Sequence, residues 1–353
     1  MNQRLTQMLL PNINRLLTPG LAKEFCELYI DSQYKPMISQ PNLMKLACLT
    51  RIKNECDIIE RFIRINSLIF DEFFIVDDAS EDNTLEILSH LKEEGFKLNI
   101  YPMTDLKSRV MYLQSEVMNQ LLHHASTSTS EGYDYYFCLD ADEVIFSQRE
   151  KILKELQLCD KSTYPKMRWM TFVPKHKPFS QTALLKESFL PLKAEPEEAF
   201  KAIMPREMVK THYISNGHHR IYSNFRPDDE AKNQEINVPL CHFPIRSSNQ
   251  IISKVLVTTH KVDLKETKGH QMSEHVYRMR KVIRACNYEI KSKTLELMAA
   301  NYVGLQSSDA EYKTLDAFKD FNEMLPQYEQ KPLLAIGALD MLLEEVIKYT
   351  IQK

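Results

Sequence analysis

The sequence predicts an α/β protein with a mainly parallel sheet flanked by helices, an irregular middle region and a helical C-terminal part. Two observations support this prediction. Between residues 45 and 146, apolar strand-like runs alternate with helix-like runs, as in parallel sheets whose crossover helices cover the faces. Between Met167 and Ile252, closely spaced prolines exclude long helices, and helical patterns return from about His275.

The first elements follow one another in a regular order. Each predicted strand is a short apolar run bounded by polar residues, and the four are KLACLT, EFFIVDD, KLNIY and YDYYFCLD. Each predicted helix between them repeats apolar residues on one face, and the three are DIIERFIRINSLI, NTLEILSHLKEEG and SRVMYLQSEVMNQLLHH. Gly95 follows the second helix as a C-terminal cap. This order predicts parallel strands joined by helical crossovers.

Composition narrows the class of protein. The 353 residues carry a formal net charge of −3, so no basic field indicates nucleic acid as a partner. Seven cysteines are scattered without a C-x-x-C pair, which favours a reducing compartment. We find neither a secretion signal nor a run of about 20 apolar residues, so the sequence predicts a cytoplasmic protein.

Glycine is scarce, with 7 in the whole chain. The sequence has no G-x-G-x-x-G and no G-x-x-x-x-G-K-[ST] motif, although backbone phosphate cradles depend on such glycines. A phosphorylated ligand would therefore have to be neutralised by a metal ion or by cationic side chains.

Acidic side chains follow two predicted strands. Asp140, Asp142 and Glu143 come after an apolar run, and Asp77–Asp78 ends another strand. Ligands of parallel sheets bind beyond the carboxyl ends of the strands, and clustered carboxylates suit Mg²⁺ or Mn²⁺. The structural alternatives are an acidic helix N-terminus at Asp140 and an Asx turn at Asp77.

Three segments, in order, resemble a known family. RIKNECDIIERFI, FIVDDASEDNT and YYFCLDADEVI are similar to the nucleotide-binding half of family 2-type glycosyltransferases with the GT-A fold. The resemblance covers about residues 45–146 and continues more loosely at GHHRIY and LCHFPIRSSNQIISK. It implies a GT-A-like catalytic domain over 45–264, with a nucleotide-binding half (45–146) and an acceptor half (147–264). A helical segment (1–44) precedes it and a helical region (265–353) follows.

The resemblance also implies roles for residues. The nucleotide sugar would be bound by residues after the first, second and fourth strands, namely Thr50, Arg51, Asn54, Glu55, Asp77, Asp78 and Asp140. The metal ion would be held by Asp140 and Asp142, and Glu143 would orient the site. For Asn54 a purely structural role, capping the next helix, stays open.

Downstream residues complete the predicted site. A neutral imidazole at His242 could join the metal ligands, and Arg246 and Lys254 could hold the diphosphate. His218 or His219 could contact acceptor or phosphate. A catalytic base could come from RPDDEAK, which offers Asp228, Asp229 and Glu230; the alternative is a solvated acidic turn.

Together these features predict a metal-dependent glycosyltransferase using Mn²⁺ or Mg²⁺. It would move a sugar from a nucleotide diphosphate sugar, UDP-sugar above all, to a hydroxyl of a glycan, a lipid-linked acceptor or a protein, with inversion. The alternatives are a catalytically idle nucleotide- or carbohydrate-binding protein and a sugar nucleotidyltransferase, although LTRIKNEC lacks the glycines of the latter's phosphate loop.

The C-terminal helical patterns allow two further contacts. The basic run YRMRKVIRACNYEIKSK could touch the inner face of a membrane, and apolar stripes such as Leu334, Met341 and Leu342 could form a homodimer. Packing against the catalytic domain and a solvated helix face are the structural alternatives.

Overall fold

The computed structural model describes most residues from Met44 to Pro332. Its gaps are residues 104–113, 130–131, 176–182, 196–198, 225, 264–273, 303, 305–310 and 313–322. The predicted helices before residue 44 and after 332, together with most of AEYKTLDAFKDF, therefore lie outside the described residues.

Thirteen strands occur in the described part of the chain. They are β1 (Leu46–Ile52), β2 (Glu72–Asp77), β3 (Leu98–Pro102), β4 (Tyr135–Cys138), β5 (Glu143–Val144), β6 (Tyr164–Pro174), β7 (Phe189–Pro191), β8 (Phe200–Pro205), β9 (His212–Ile214), β10 (Ile221–Ser223), β11 (Arg226–Glu230), β12 (Asn233–Glu235) and β13 (Leu240–His242).

The same residues form eight α-helices. They are α1 (Ile59–Asn66), α2 (Thr84–Glu93), α3 (Gln114–Thr127), α4 (Arg149–Gln157), α5 (Leu185–Ser188), α6 (Ser248–Asp263), α7 (Glu274–Ala285) and α8 (Ser292–Ala300).

One mixed sheet organises the described residues, in the order β3-β2-β1-β4-β8-β6-β13-β5. The first four strands are parallel. Strand β8 then runs antiparallel between β4 and β6, and β13 returns parallel to β6. The predicted fold class, a mainly parallel sheet flanked by helices, is confirmed, whereas the antiparallel insertion of β8 was not predicted.

Helices cover both faces of the parallel half. Cys48 of β1 packs in a cluster with α1 and α2 on one face, and its neighbours Ala47 and Leu49 pack with α3 on the other. Because side chains alternate along a strand, a strand buried on both faces reads as one continuous apolar run. This explains why the centres of KLACLT and EFFIVDD, the runs LACL and FFIV, contain no polar residue.

The predicted cap at Gly95 is confirmed. Gly95 follows α2 with φ of 105°, a left-handed conformation that costs side-chain-bearing residues about 1 kcal/mol or more. The Gly95→Ala variant is expected to lose about 1 kcal/mol of unfolding free energy in urea titrations. An unchanged midpoint would contradict this account, because no atom lies within 4 Å of an added Cβ and strain alone should act.

The middle region matches its prediction of short strands and loops, except that β6 is 11 residues long. Within the residues described, no helix combines the length and apolarity needed to span a bilayer.

Candidate active site

The loops after β1 and β2 interlock at the carboxyl edge of the sheet. Asn54 has a φ of 55°, and its amide N–H donates to Ser80 Oγ at 2.9 Å. Its side-chain oxygen accepts the Glu81 amide at 2.7 Å. Asn54 therefore ties two loops together and does not cap α1, which begins at Ile59.

The acidic pair after β2 has two different environments. Asp77 is buried and accepts the Ser80 amide, as the Asx-turn alternative anticipates. Asp78 accepts a 2.8 Å hydrogen bond from Arg51 Nη2. Thr50 lies inside β1, which ends two residues later than the sequence suggests, and it is fully buried. A residue in this position can shape the predicted nucleotide pocket from below its surface, and a direct contact of Thr50 with the nucleotide sugar stays a prediction.

The D-A-D-E stretch forms a turn after β4 and not a helix N-terminus. The Glu143 amide donates to the Asp140 carbonyl at 3.0 Å, and the Asp140 amide donates to Glu143 Oε2 at 2.8 Å. Strand β5 then pairs with β13, which places His242 opposite Glu143. This pairing brings Glu143 and His242, which are 99 positions apart in the chain, into one site.

Asp142 is buried among basic groups. Its Oδ2 lies 3.0 Å from Lys254 Nζ and 3.7 Å from Arg246 Nη1, and its Oδ1 lies 3.8 Å from His242 Nε2. Burial alone would raise the pKa of Asp142, but Lys254 and its other basic neighbours hold that pKa below its ordinary value. The carboxylate is therefore ionised at neutral pH.

His242 is enclosed by aromatic rings. Trp169 stacks on it at 4.2 Å between ring centroids, and Tyr302 meets it edge-on at 5.3 Å. Burial lowers the pKa of His242 to about 4, so the imidazole is neutral and able to ligate a metal ion. Its Nδ1 is buried without a hydrogen-bond partner.

Arg246 does something other than predicted. Its guanidinium is 0% exposed and forms two hydrogen bonds to Asp57 at 2.7 and 2.8 Å. It also donates to Glu55 at 2.7 Å and to the Phe243 carbonyl at 3.1 Å. A group so enclosed does not reach a diphosphate, so the expectation that Arg246 binds it is corrected: Arg246 joins the β13–α6 connection to the loop after β1.

Glu55 belongs to the same buried network. Burial raises its pKa to about 7, against the opposing effect of Arg246. Glu55 thus lies near Asp142 and Lys254, as its predicted place in the site requires. Asp57, the stronger partner of Arg246, was not anticipated, since NECD shows only that acids follow β1.

Asp140 is bound by a lysine that the sequence analysis missed. Lys201 Nζ lies 2.6 Å from Asp140 Oδ2 and 3.4 Å from His218 Nδ1. His219 instead donates to the Phe200 carbonyl at 2.6 Å. The available signal was a lysine within the apolar run FKAIMP, where a strand-buried charge requires a partner.

The candidate base lies elsewhere. Asp229 is exposed, and its neighbour Glu230 accepts a hydrogen bond from Tyr164. Tyr164 begins β6, five residues before Trp169, a separation of about 16 Å along a strand. The structure therefore does not support Asp229 as the base, and the side chain of Asp228 lies outside the described residues.

The fold and the arrangement of these residues can be compared with known proteins. A mainly parallel α/β sheet carries buried acids and a histidine at its carboxyl edge, as the resemblance to family 2-type glycosyltransferases of GT-A fold implies. That resemblance is confirmed by comparison with known proteins. Over 114 residues, 31% of the chain, the sequence is 32% identical to the poly-β-1,6-N-acetyl-D-glucosamine synthase of Staphylococcus aureus strain MSSA476. The same protein of strain MW2 gives equal values.

The match spans a quarter of these curated relatives, 25% of their length. No model of a protein family matches the sequence. Similar solved structures include a mannosyltransferase from Pyrobaculum calidifontis in complex with GDP-Man and Mn²⁺, at 15% identity over 76% of this chain and 78% of that one, with a TM-score of 0.35. S. aureus TarS in complex with UDP is similar at 11% identity over 70% of this chain and 72% of that one, with a TM-score of 0.33. The fold class therefore depends on this chain's own sheet topology.

Proposed function

We propose that this protein is a metal-dependent glycosyltransferase that uses a UDP-sugar and an acceptor hydroxyl, with inversion at the anomeric carbon. The bond from the anomeric carbon to the β-phosphate oxygen breaks and its electron pair leaves with UDP, a bond to the acceptor oxygen forms, and the hydroxyl proton passes to solvent water. The observation that carries this proposal is the convergence of Asp142, His242 and Lys254 at the carboxyl edge of the sheet. The sequence match to a polysaccharide synthase supports it.

Asp142 and His242 fit a divalent cation. One is an ionised carboxylate and the other a neutral imidazole, and their nearest atoms are 3.8 Å apart. Two ligands about 2.1 Å from one ion can span that separation. Among the described residues no group of three or more acids, histidines or cysteines could hold a metal. We infer an ion held by Asp142 and His242 whose coordination is completed by substrate oxygens, as is usual for Mg²⁺ at phosphates.

The bound ion would neutralise the diphosphate leaving group. Lys254 has a side chain that is 36% exposed, so it can turn from Asp142 toward a phosphate and add a second positive charge. Arg51 and Asp78 lie at the edge of the interlocked loops, where they would contact the nucleoside. Asp140 was predicted to contact both the ribose and the metal ion; because its Oδ2 is paired with Lys201, we assign it the ribose contact and leave the metal ion to Asp142 and His242.

The proposal is tested by a turnover screen. Purified protein is incubated with UDP-, GDP- and other nucleotide sugars with and without Mn²⁺, and nucleotide release is measured. We expect release with a UDP-sugar that depends on Mn²⁺ and is abolished by chelation. Metal-dependent UDP binding without release or transfer, under every acceptor tried, would indicate the idle binding protein.

A further inference from the structure

Lys201 lies in the middle of the sheet and has no role in the proposed function described above. It belongs to β8, between β4 and β6, and its side chain is 1% exposed. A lysine in such a place is stable only with anionic or strongly accepting partners, because desolvation costs several kcal/mol. Its partners therefore indicate why it is there.

Those partners lie on the D-A-D-E turn. Lys201 Nζ is 2.6 Å from Asp140 Oδ2 and 3.3 Å from Glu143 Oε1. Glu143 in turn accepts the Asp140 amide through its other oxygen. Lys201 thus holds the D-A-D-E turn in place through its contacts with both acids. The centroid of the Trp169 ring that stacks on His242 lies 5.6 Å from the same ammonium.

The two lysines of the site differ in how far their side chains can move. Lys254, which pairs with Asp142, is partly exposed and can exchange one partner for another. Lys201 is enclosed by the sheet, so its charge is a fixed part of the site. One acid is therefore permanently neutralised, and the other has a counter-ion that can leave.

We propose that Lys201 is a positioning residue that acts as a permanent internal cation for Asp140, leaving Asp142 as the acid that takes up the divalent ion together with the diphosphate. This inference rests on the proposed function. It explains how three acids in four residues coexist with only one proposed metal ion: Lys201 adds a fixed positive charge to those of Lys254 and Arg246.

The proposal has a consequence that a purely structural lysine would not have. Removing the charge of Lys201 makes the cluster more negative, so the nucleotide-free protein should bind Mn²⁺ more tightly, by about tenfold for one unit of charge nearby. A lysine that only stabilises the fold would leave Mn²⁺ binding unchanged or weaken it.

The experiment measures Mn²⁺ affinity by electron paramagnetic resonance, with and without UDP. It compares the wild type, Lys201→Met, Asp140→Asn and the double variant. Lys201→Met should tighten nucleotide-free binding about tenfold and Asp140→Asn should weaken it about tenfold. The double variant, neutral at both positions, should return to within about threefold of the wild type. If Lys201→Met alone does not fold, the comparison of the double variant with Asp140→Asn provides the test.

A matched control is Lys166→Met on β6, whose ammonium lies 3.9 Å from the Phe200 ring; it should leave Mn²⁺ affinity unchanged. The inference is overturned if the wild type binds Mn²⁺ with UDP but Lys201→Met does not tighten binding, or if the double variant stays as weak as Asp140→Asn. A wild type that binds no Mn²⁺ even with UDP would overturn the proposed metal role as well.

Discussion

Asp142→Asn is expected to lower metal-dependent turnover of the UDP-sugar by about 10²–10³-fold, comparable to the loss of one group that stabilises transition-state charge. The amide keeps the size of the side chain but lacks the charge that binds the cation. Initial rates at saturating Mn²⁺, with circular dichroism and thermal unfolding of the same sample, measure the effect. The fold should be retained, since the neighbouring Lys254 is partly exposed and can be solvated.

Asp160→Asn is the matched control. Asp160 is an exposed turn residue that accepts hydrogen bonds from Ser162, and an asparagine can accept them too. Its turnover should equal that of the wild type. Turnover by Asp142→Asn within about threefold of the wild type would remove Asp142 from the account of the site.

Arg246→Met is expected to destabilise the protein by about 3–5 kcal/mol, the usual result of removing one partner from a buried ionic network. Asp57 and Glu55 would lose all the hydrogen bonds that Arg246 gives them. Asp142 would lose a neighbouring charge as well. Urea unfolding monitored by fluorescence of Trp169, the single tryptophan, measures the change.

Arg168→Met provides the comparison. Arg168 makes two hydrogen bonds to Glu235 with the same fork-like geometry, but the two side chains are 41% and 38% exposed. An exposed pair of this kind contributes about 0–1 kcal/mol. If Arg246→Met cost no more than Arg168→Met, while weakening UDP binding strongly, Arg246 would have to be returned to the diphosphate site.

The parallel half of the fold could be read from the sequence because its strands are buried on both faces. The centres of these runs, LACL and FFIV, are therefore continuously apolar, and β1 and β2 lie where these runs are. The antiparallel pairing of β8 with β4 and β6 joins segments distant in sequence. Such pairing produces no periodic pattern of apolar residues along the chain, so it could not be predicted from the sequence.

The same distinction applies to the site. Asp140 and Asp142 stand out as charges after an apolar strand, and the position of His242 follows from a two-residue pairing of β13 with β5. Residue type alone made Arg246 look like a phosphate ligand, whereas its burial depends on Asp57, 189 positions away. Lys201 was missed because its partners follow β4, a neighbouring strand in the sheet, and are not close to Lys201 along the chain.

In the proposed function, Asp142 and His242 hold a divalent cation against a nucleotide diphosphate. Crystals grown with UDP and Mn²⁺, measured for anomalous scattering of manganese, test it most directly. The account predicts a single strong peak within about 2.3 Å of an Asp142 oxygen and of a His242 nitrogen, with phosphate oxygens completing the shell. Bound UDP without such a peak, with Lys254 still paired to Asp142, would contradict it.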